Sequence, residues 1–205
     1  MTRTVRTLLL GCFVFVAVPA VAQSTAEPGK AELAIVPGGW VTFLAPDVFP
    51  EPAFSEYLIG VSITYNPGPI GIEGGYVVGL GRSQELKFGS TVVTKKSPPV
   101  FMDSVNLIVP LMGNRRKVVP FVTAGIGETT INRTRDVGQP DTETFFTGNF
   151  GGGLKWYSEG RLGFRGDYRY AISRSEFGAP GSFFGRERRK SHRFYAGLIV
   201  NLIRR

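Results

Sequence analysis

The stretch FFTGNFGGGLKWYSEGRLGFRGDYRYAI, residues 145–172, decides the fold. Read two residues at a time, each half separates into unlike faces. From Phe145 to Trp156 one face carries Phe146, Phe150, Leu154 and Trp156, the other Thr147, Asn149, Gly151, Gly153 and Lys155. From Arg161 to Ala171, Leu162, Phe164, Tyr168 and Tyr170 oppose Gly163, Arg165, Asp167 and Arg169. Such alternation marks two β-strands, and Ser158-Glu159-Gly160 supplies the tight turn between them.

The pattern continues in both directions. Strands are expected at Glu32 to Phe43 with a bend at Pro37-Gly38-Gly39, Tyr57 to Tyr65, Ile70 to Leu80, Val100 to Leu111, Val118 to Gly127, Phe145 to Tyr157, Arg161 to Ile172 and Ser191 to Ile203. In Tyr57 to Tyr65, Tyr57, Ile59, Val61, Ile63 and Tyr65 alternate with Gly60, Ser62 and Thr64. In the last strand Phe194, Ala196, Leu198, Val200 and Leu202 alternate with Arg193, Tyr195, Gly197 and Asn201. No segment shows a helical period.

The connections sort by length. Short turns lie at Asn66-Pro67-Gly68-Pro69, Gly113-Asn114-Arg115 and Ser158-Glu159-Gly160. Long polar loops follow Phe43, cover Gly81 to Pro99 and Glu128 to Thr142, and run from Ser173 to Lys190. In an up-and-down order the short turns and both ends of the sheet fall on one side and the long loops on the other. Transmembrane β-barrels have this asymmetry. A soluble barrel of the lipocalin kind would turn its apolar face inward and cover its outer face with Lys and Glu. Here the polar faces are rich in Gly and compact residues, as a narrow interior requires. Aromatic residues gather at strand ends (Trp40, Tyr57, Tyr65, Trp156, Tyr157, Tyr168, Tyr170), where interfacial girdles sit. The expected fold is therefore an all-β, eight-stranded antiparallel up-and-down transmembrane barrel. A sheet crosses hydrocarbon only when it closes on itself, because each unpaired backbone N–H or C=O there costs several kcal/mol.

Three segments, VPFVTAGIGETT (residues 119–130), residues 145–172 and HRFYAGLIVNL (residues 192–202), resemble the outer-membrane β-barrel superfamily of the OmpA transmembrane domain and OmpX type. The shared features are Pro-aromatic-x-x-x-Gly-x-Gly at Pro120 to Gly127, Gly-x-Gly at Gly151 to Gly153, and Arg-x-Asp-x-Arg at Arg165 to Arg169. The resemblance implies the barrel and an outer-membrane location. It implies no single activity, because this fold serves anchors, adhesins, small pores and enzymes. The sequence departs from the family at its last strand. Asn201-Leu202-Ile203-Arg204-Arg205 stands where a terminal aromatic is usual, which bears on how the insertion machinery would recognise it.

At the other end, Arg3 and Arg6 precede an apolar run from Leu8 to Val18, then Pro19 and Ala20-Val21-Ala22. This reads as a signal peptide for Sec-type export, cleaved after residue 22, and a loose tail over residues 23–30 leads into the barrel domain, residues 31–205. An N-terminal membrane anchor is the alternative. Cys12, the one cysteine, falls within the leader rather than at a lipid-attachment site, so the exported chain has no thiol chemistry. The formal charge of +8 falls to about +6 without Arg3 and Arg6. For an exported basic chain the expected counter-charges are outer-membrane lipid and lipopolysaccharide phosphates, not nucleic acid. The export and barrel-assembly machineries are the expected protein partners, and a monomer is favoured.

Function must be sought on the polar faces. Turned inward, they bring Glu73, Lys155, Arg165, Asp167, Arg169 and Arg193 into one lumen. The expected arrangement is an internal salt-bridge plug, since eight strands enclose a space their own side chains can fill. The alternative is the charged constriction of a narrow pore for ions or small solutes. Outside, Arg186, Arg188, Arg189 and Lys190 beside Phe183 and Phe184 form a basic run suited to anionic lipid, or simply a solvated loop. A lipid-modifying hydrolase would need a Ser–His dyad. The one histidine, His192, is adjacent to Ser191, so in a strand the two point to opposite faces. Catalysis is accordingly not expected, nor any cofactor. Asp141 and Glu143, read as isolated on a loop, are too few for a metal site. The glycines of GNFGGGLKW and GPIGIEGGY lack the Lys-Ser/Thr ending of a phosphate loop.

Overall fold

A computed structural model describes residues 30–45, 52–88, 90–111, 117–134, 140–175 and 189–203. The leader and Cys12 lie outside these residues, as do Gly113-Asn114-Arg115, Phe183, Phe184, Arg186 and Arg188. Ten strands follow in chain order: β1 Ala31–Phe43, β2 Phe54–Tyr65, β3 Gly71–Leu80, β4 Ser83–Phe88, β5 Thr91–Lys96, β6 Val100–Pro110, β7 Val118–Thr134, β8 Pro140–Tyr157, β9 Leu162–Ser175 and β10 Arg189–Ile203. Eight of them close into one antiparallel barrel in the order β1-β2-β3-β6-β7-β8-β9-β10, with β10 pairing back onto β1. Closure leaves no open edge, which is what a sheet needs if it is to be surrounded by hydrocarbon.

The faces divide as the alternation requires. Phe146, Phe150, Leu154 and Trp156 of β8, with Leu162 and Phe164 of β9, lie exposed on the outer wall, while Thr147, Asn149, Lys155, Arg165, Asp167 and Arg169 are buried inside. Glycines make the narrow interior fit. A Cβ on Gly153 would come within 2.5 Å of the Asp167 Cβ. Strand β1 changes phase along its length: Glu32, Ala34 and Val36 face inward, then Val41 and Phe43. The change occurs at Pro37-Gly38-Gly39, where the register with both neighbours shifts. One extra residue in a bulge exchanges the two faces of everything after it.

Three expectations need correction. Residues 81–99 are not simply a loop, because β4 and β5 pair there as a hairpin that continues β3 and β6 beyond the barrel. Its Gln84 side chain acts as a substitute strand: Ser55 N–H donates to Oε1 at 2.9 Å, and Nε2 donates to Ser55 C=O at 3.0 Å. Leu86 is buried with Val41, Phe43, Phe54, Leu58, Val100, Met102, Ile131 and Phe145 in an apolar cap over that end. Likewise β7 and β8 pair as far as Thr134 and Pro140, so most of residues 128–142 is strand, and Asp141 and Glu143, expected on a loop, both lie in β8. The third concerns Tyr157, expected in an outer aromatic girdle. It is fully buried inside, in phase with Lys155, and packs with Ala34, Val119 and Ile199 near the short-turn end.

Candidate functional site

Between the two apolar ends the interior is charged. Glu73 belongs to β3, whereas Arg165, Asp167 and Arg169 belong to β9, four positions away in an eight-strand ring and so directly across the lumen. Arg165 pairs with both Glu73 and Asp167. Arg169 Nη2 reaches Glu73 Oε1 at 2.6 Å and Asp167 Oδ2 at 3.2 Å. On its own side Glu73 also accepts hydrogen bonds from Ser62 and Thr64 at 3.3 and 3.2 Å. The rings of Phe121 and Tyr195 each lie 5.2 Å from a guanidinium, Arg165 and Arg169 respectively. Every member of this quartet is at most 7% exposed. Charges so buried are tolerable only when paired and hydrogen-bonded, and these are.

The other two predicted interior residues are inside but stand apart from the quartet. Lys155 on β8 donates instead to Glu32 on β1 at 2.6 Å, and Tyr157 O–H donates to the other oxygen of Glu32 at 2.8 Å. Arg193 on β10 reaches hydroxyls: Nη2 donates to Thr129 Oγ1 at 3.3 Å and Nε to Ser191 Oγ at 3.4 Å. Thr129 continues into a buried hydroxyl row through Thr147 at 2.9 Å to Ser173 at 2.8 Å. In the middle lies a cavity of about 20 Å³ bordered by Glu73, Arg165, Asp167, Arg169, Arg193 and Tyr195. That is room for about one water molecule.

Sequence reasoning missed Glu32, Glu56 and Tyr157. Glu32 and Tyr157 each sit two residues from an inward-facing neighbour, Ala34 and Lys155, so phase alone could have found them. Glu56 lies in β2, in phase with Leu58, before the start assigned to that strand; it is fully buried and accepts no hydrogen bond from a charged side chain among the described residues.

The basic run needs correction at Arg189. That side chain is not offered to lipid: it is buried, donates to Pro52 C=O at 2.5 Å and lies over the Phe54 ring at 5.7 Å. Lys190, next in the strand, is exposed. Ser191 is buried inside, whereas His192 lies on the outer wall, its Nδ1 2.7 Å from the Tyr168 hydroxyl. The two therefore stand on opposite faces. No group of three or more His, Cys, Asp or Glu side chains arranged for a metal occurs among the described residues.

No family model matches the chain, and no curated protein matches it. Solved structures do. Neisserial surface protein A aligns with a TM-score of 0.60 at 11% identity, covering 84% of this chain and 97% of that one. This is the fold of the small outer-membrane β-barrels. The N-terminal β-barrel domain of Pseudomonas aeruginosa OprF aligns with a TM-score of 0.50 at 15% identity, covering 84% of this chain and 98% of that one. At these identities the likeness is one of barrel architecture.

Proposed function

We propose that the chain is a bacterial outer-membrane protein whose barrel spans the membrane closed to solutes and serves as a structural or surface-interaction scaffold rather than as an enzyme or a pore. The observation that carries this reading is the bridge from Glu73 to Arg165 and Arg169, which ties opposite walls together beside a cavity of about 20 Å³. Hydrated ions need a continuous path, and eight strands filled by their own side chains provide none. The apolar outer wall supports the membrane location, with Phe150, Leu154, Phe164 and Leu198 in an exposed belt. The two aligned outer-membrane barrels support it as well. In this reading Arg3, Arg6 and the apolar run after them direct export, and the long connections face the cell exterior, where Arg186, Arg188 and Lys190, but not the buried Arg189, meet anionic lipopolysaccharide.

The test is reconstitution into planar bilayers together with membrane fractionation. A silent protein that partitions with outer membranes and changes gel mobility on boiling is the expected result. Discrete, reproducible conductance steps would replace the closed scaffold with a pore. Deleting residues 1–22 should abolish export.

A further inference from the structure

The charges lining the central cavity do not balance. Around the central cavity stand three guanidinium groups, Arg165, Arg169 and Arg193, and two carboxylates, Glu73 and Asp167. Both carboxylates are engaged by Arg165 and Arg169. The surplus positive charge rests on Arg193. It is 3% exposed, it has no ion-pair partner among the described residues, and the hydrogen bonds it makes go to uncharged hydroxyls, those of Ser191, Thr129 and Tyr195. A guanidinium has five N–H donors, so three hydroxyl partners leave two of those on Arg193 unspent. Arg169 Nε, on the same cavity, is a further buried donor without a partner.

We propose that the barrel interior binds one small monovalent anion, of chloride or bromide size, in the cavity beside Arg193. Water alone could satisfy the free N–H groups, but it would leave the buried Arg193 without a counter-charge in contact, which is unfavourable. An anion removes both deficits. The cavity of about 20 Å³ suits one particle of roughly atomic size. Asp167 Oδ1 lines the same space without a partner and requires a donor. The anion therefore sits on the Arg193 side, with water between it and Asp167. The other claimant to Arg193 is Glu56. Val41 pairs with Arg193 on one side and with Glu56 on the other, so the two flank one residue, yet Glu56 makes no bond to Arg193. The inference concerns the interior alone and stands whether or not the barrel conducts.

Two measurements on the purified, detergent-solubilised barrel test it. Crystals grown in bromide, with data collected at the bromine edge, should show an anomalous peak in hydrogen-bond contact with the Arg193 guanidinium. The thermal midpoint should rise with chloride relative to gluconate at equal ionic strength, by about 3–6 °C per tenfold chloride once the site is saturating. Arg193→Gln should abolish that dependence, and Glu56→Gln should keep it. Absence of a peak, a midpoint indifferent to which anion is present, or density showing Glu56 turned onto Arg193 would each overturn the proposal.

Discussion

Glu73 holds the quartet together, because both arginines converge on it from the opposite wall. Replacing it with glutamine leaves two buried guanidinium groups sharing Asp167. Glu73→Gln should cost about 3–5 kcal/mol of unfolding free energy, measured by urea titration of the folded barrel in micelles. Tyr157→Phe removes one hydrogen bond to Glu32 but leaves the Lys155 pair, and should cost about 1.5–3 kcal/mol in the same assay. If the two variants cost the same, Glu73 is not the centre of the network. At this scale alternation pointed Glu73, Lys155, Arg165, Asp167, Arg169 and Arg193 inward, because in a strand phase fixes direction, but Glu32 and Glu56 were overlooked. Nor did alternation show which charge meets which. Lys155 and Arg165 are direct cross-strand neighbours, yet each finds its carboxylate elsewhere, at Glu32 and Glu73. Pairing across a lumen depends on how the barrel closes, and the alternation within one strand does not encode it.

Strand by strand, the hairpin β4–β5 is the feature the sequence concealed. Its residues are polar and weakly alternating, so they read as a loop. What orders them is the Gln84 amide on the Ser55 backbone and the burial of Leu86 in the apolar cap. Leu86→Ala combined with Gln84→Ala should free the hairpin from the barrel. Trypsin should then cut at Lys87 or Lys95 several times faster, while the heat-dependent gel shift of the barrel persists. Unchanged cleavage would mean the docking contacts do not hold it. The bulge in β1 taught the opposite lesson. Pro37-Gly38-Gly39 was legible as a bend, and its consequence, the exchange of faces between Val36 and Val41, follows from the two-residue period alone.

For the whole molecule, the number of barrel strands and their order were readable, because both express the same constraint: a closed sheet with an apolar exterior. The function is less so, since the fold carries many. The account stands on the direction of the apolar faces, and Phe150 lies mid-strand on the outer wall at 57% exposure. Phe150→Arg should destabilise the barrel by about 2–4 kcal/mol in bilayers if that position lies near the midplane. The most direct measurement places a single tryptophan at position 150, with Trp40 and Trp156 changed to phenylalanine, in vesicles of lipid brominated along the acyl chain. Strong quenching by the bromines, together with insensitivity to aqueous iodide, is the predicted result. Quenching by iodide and none by the brominated chains would put that wall in water and contradict the account.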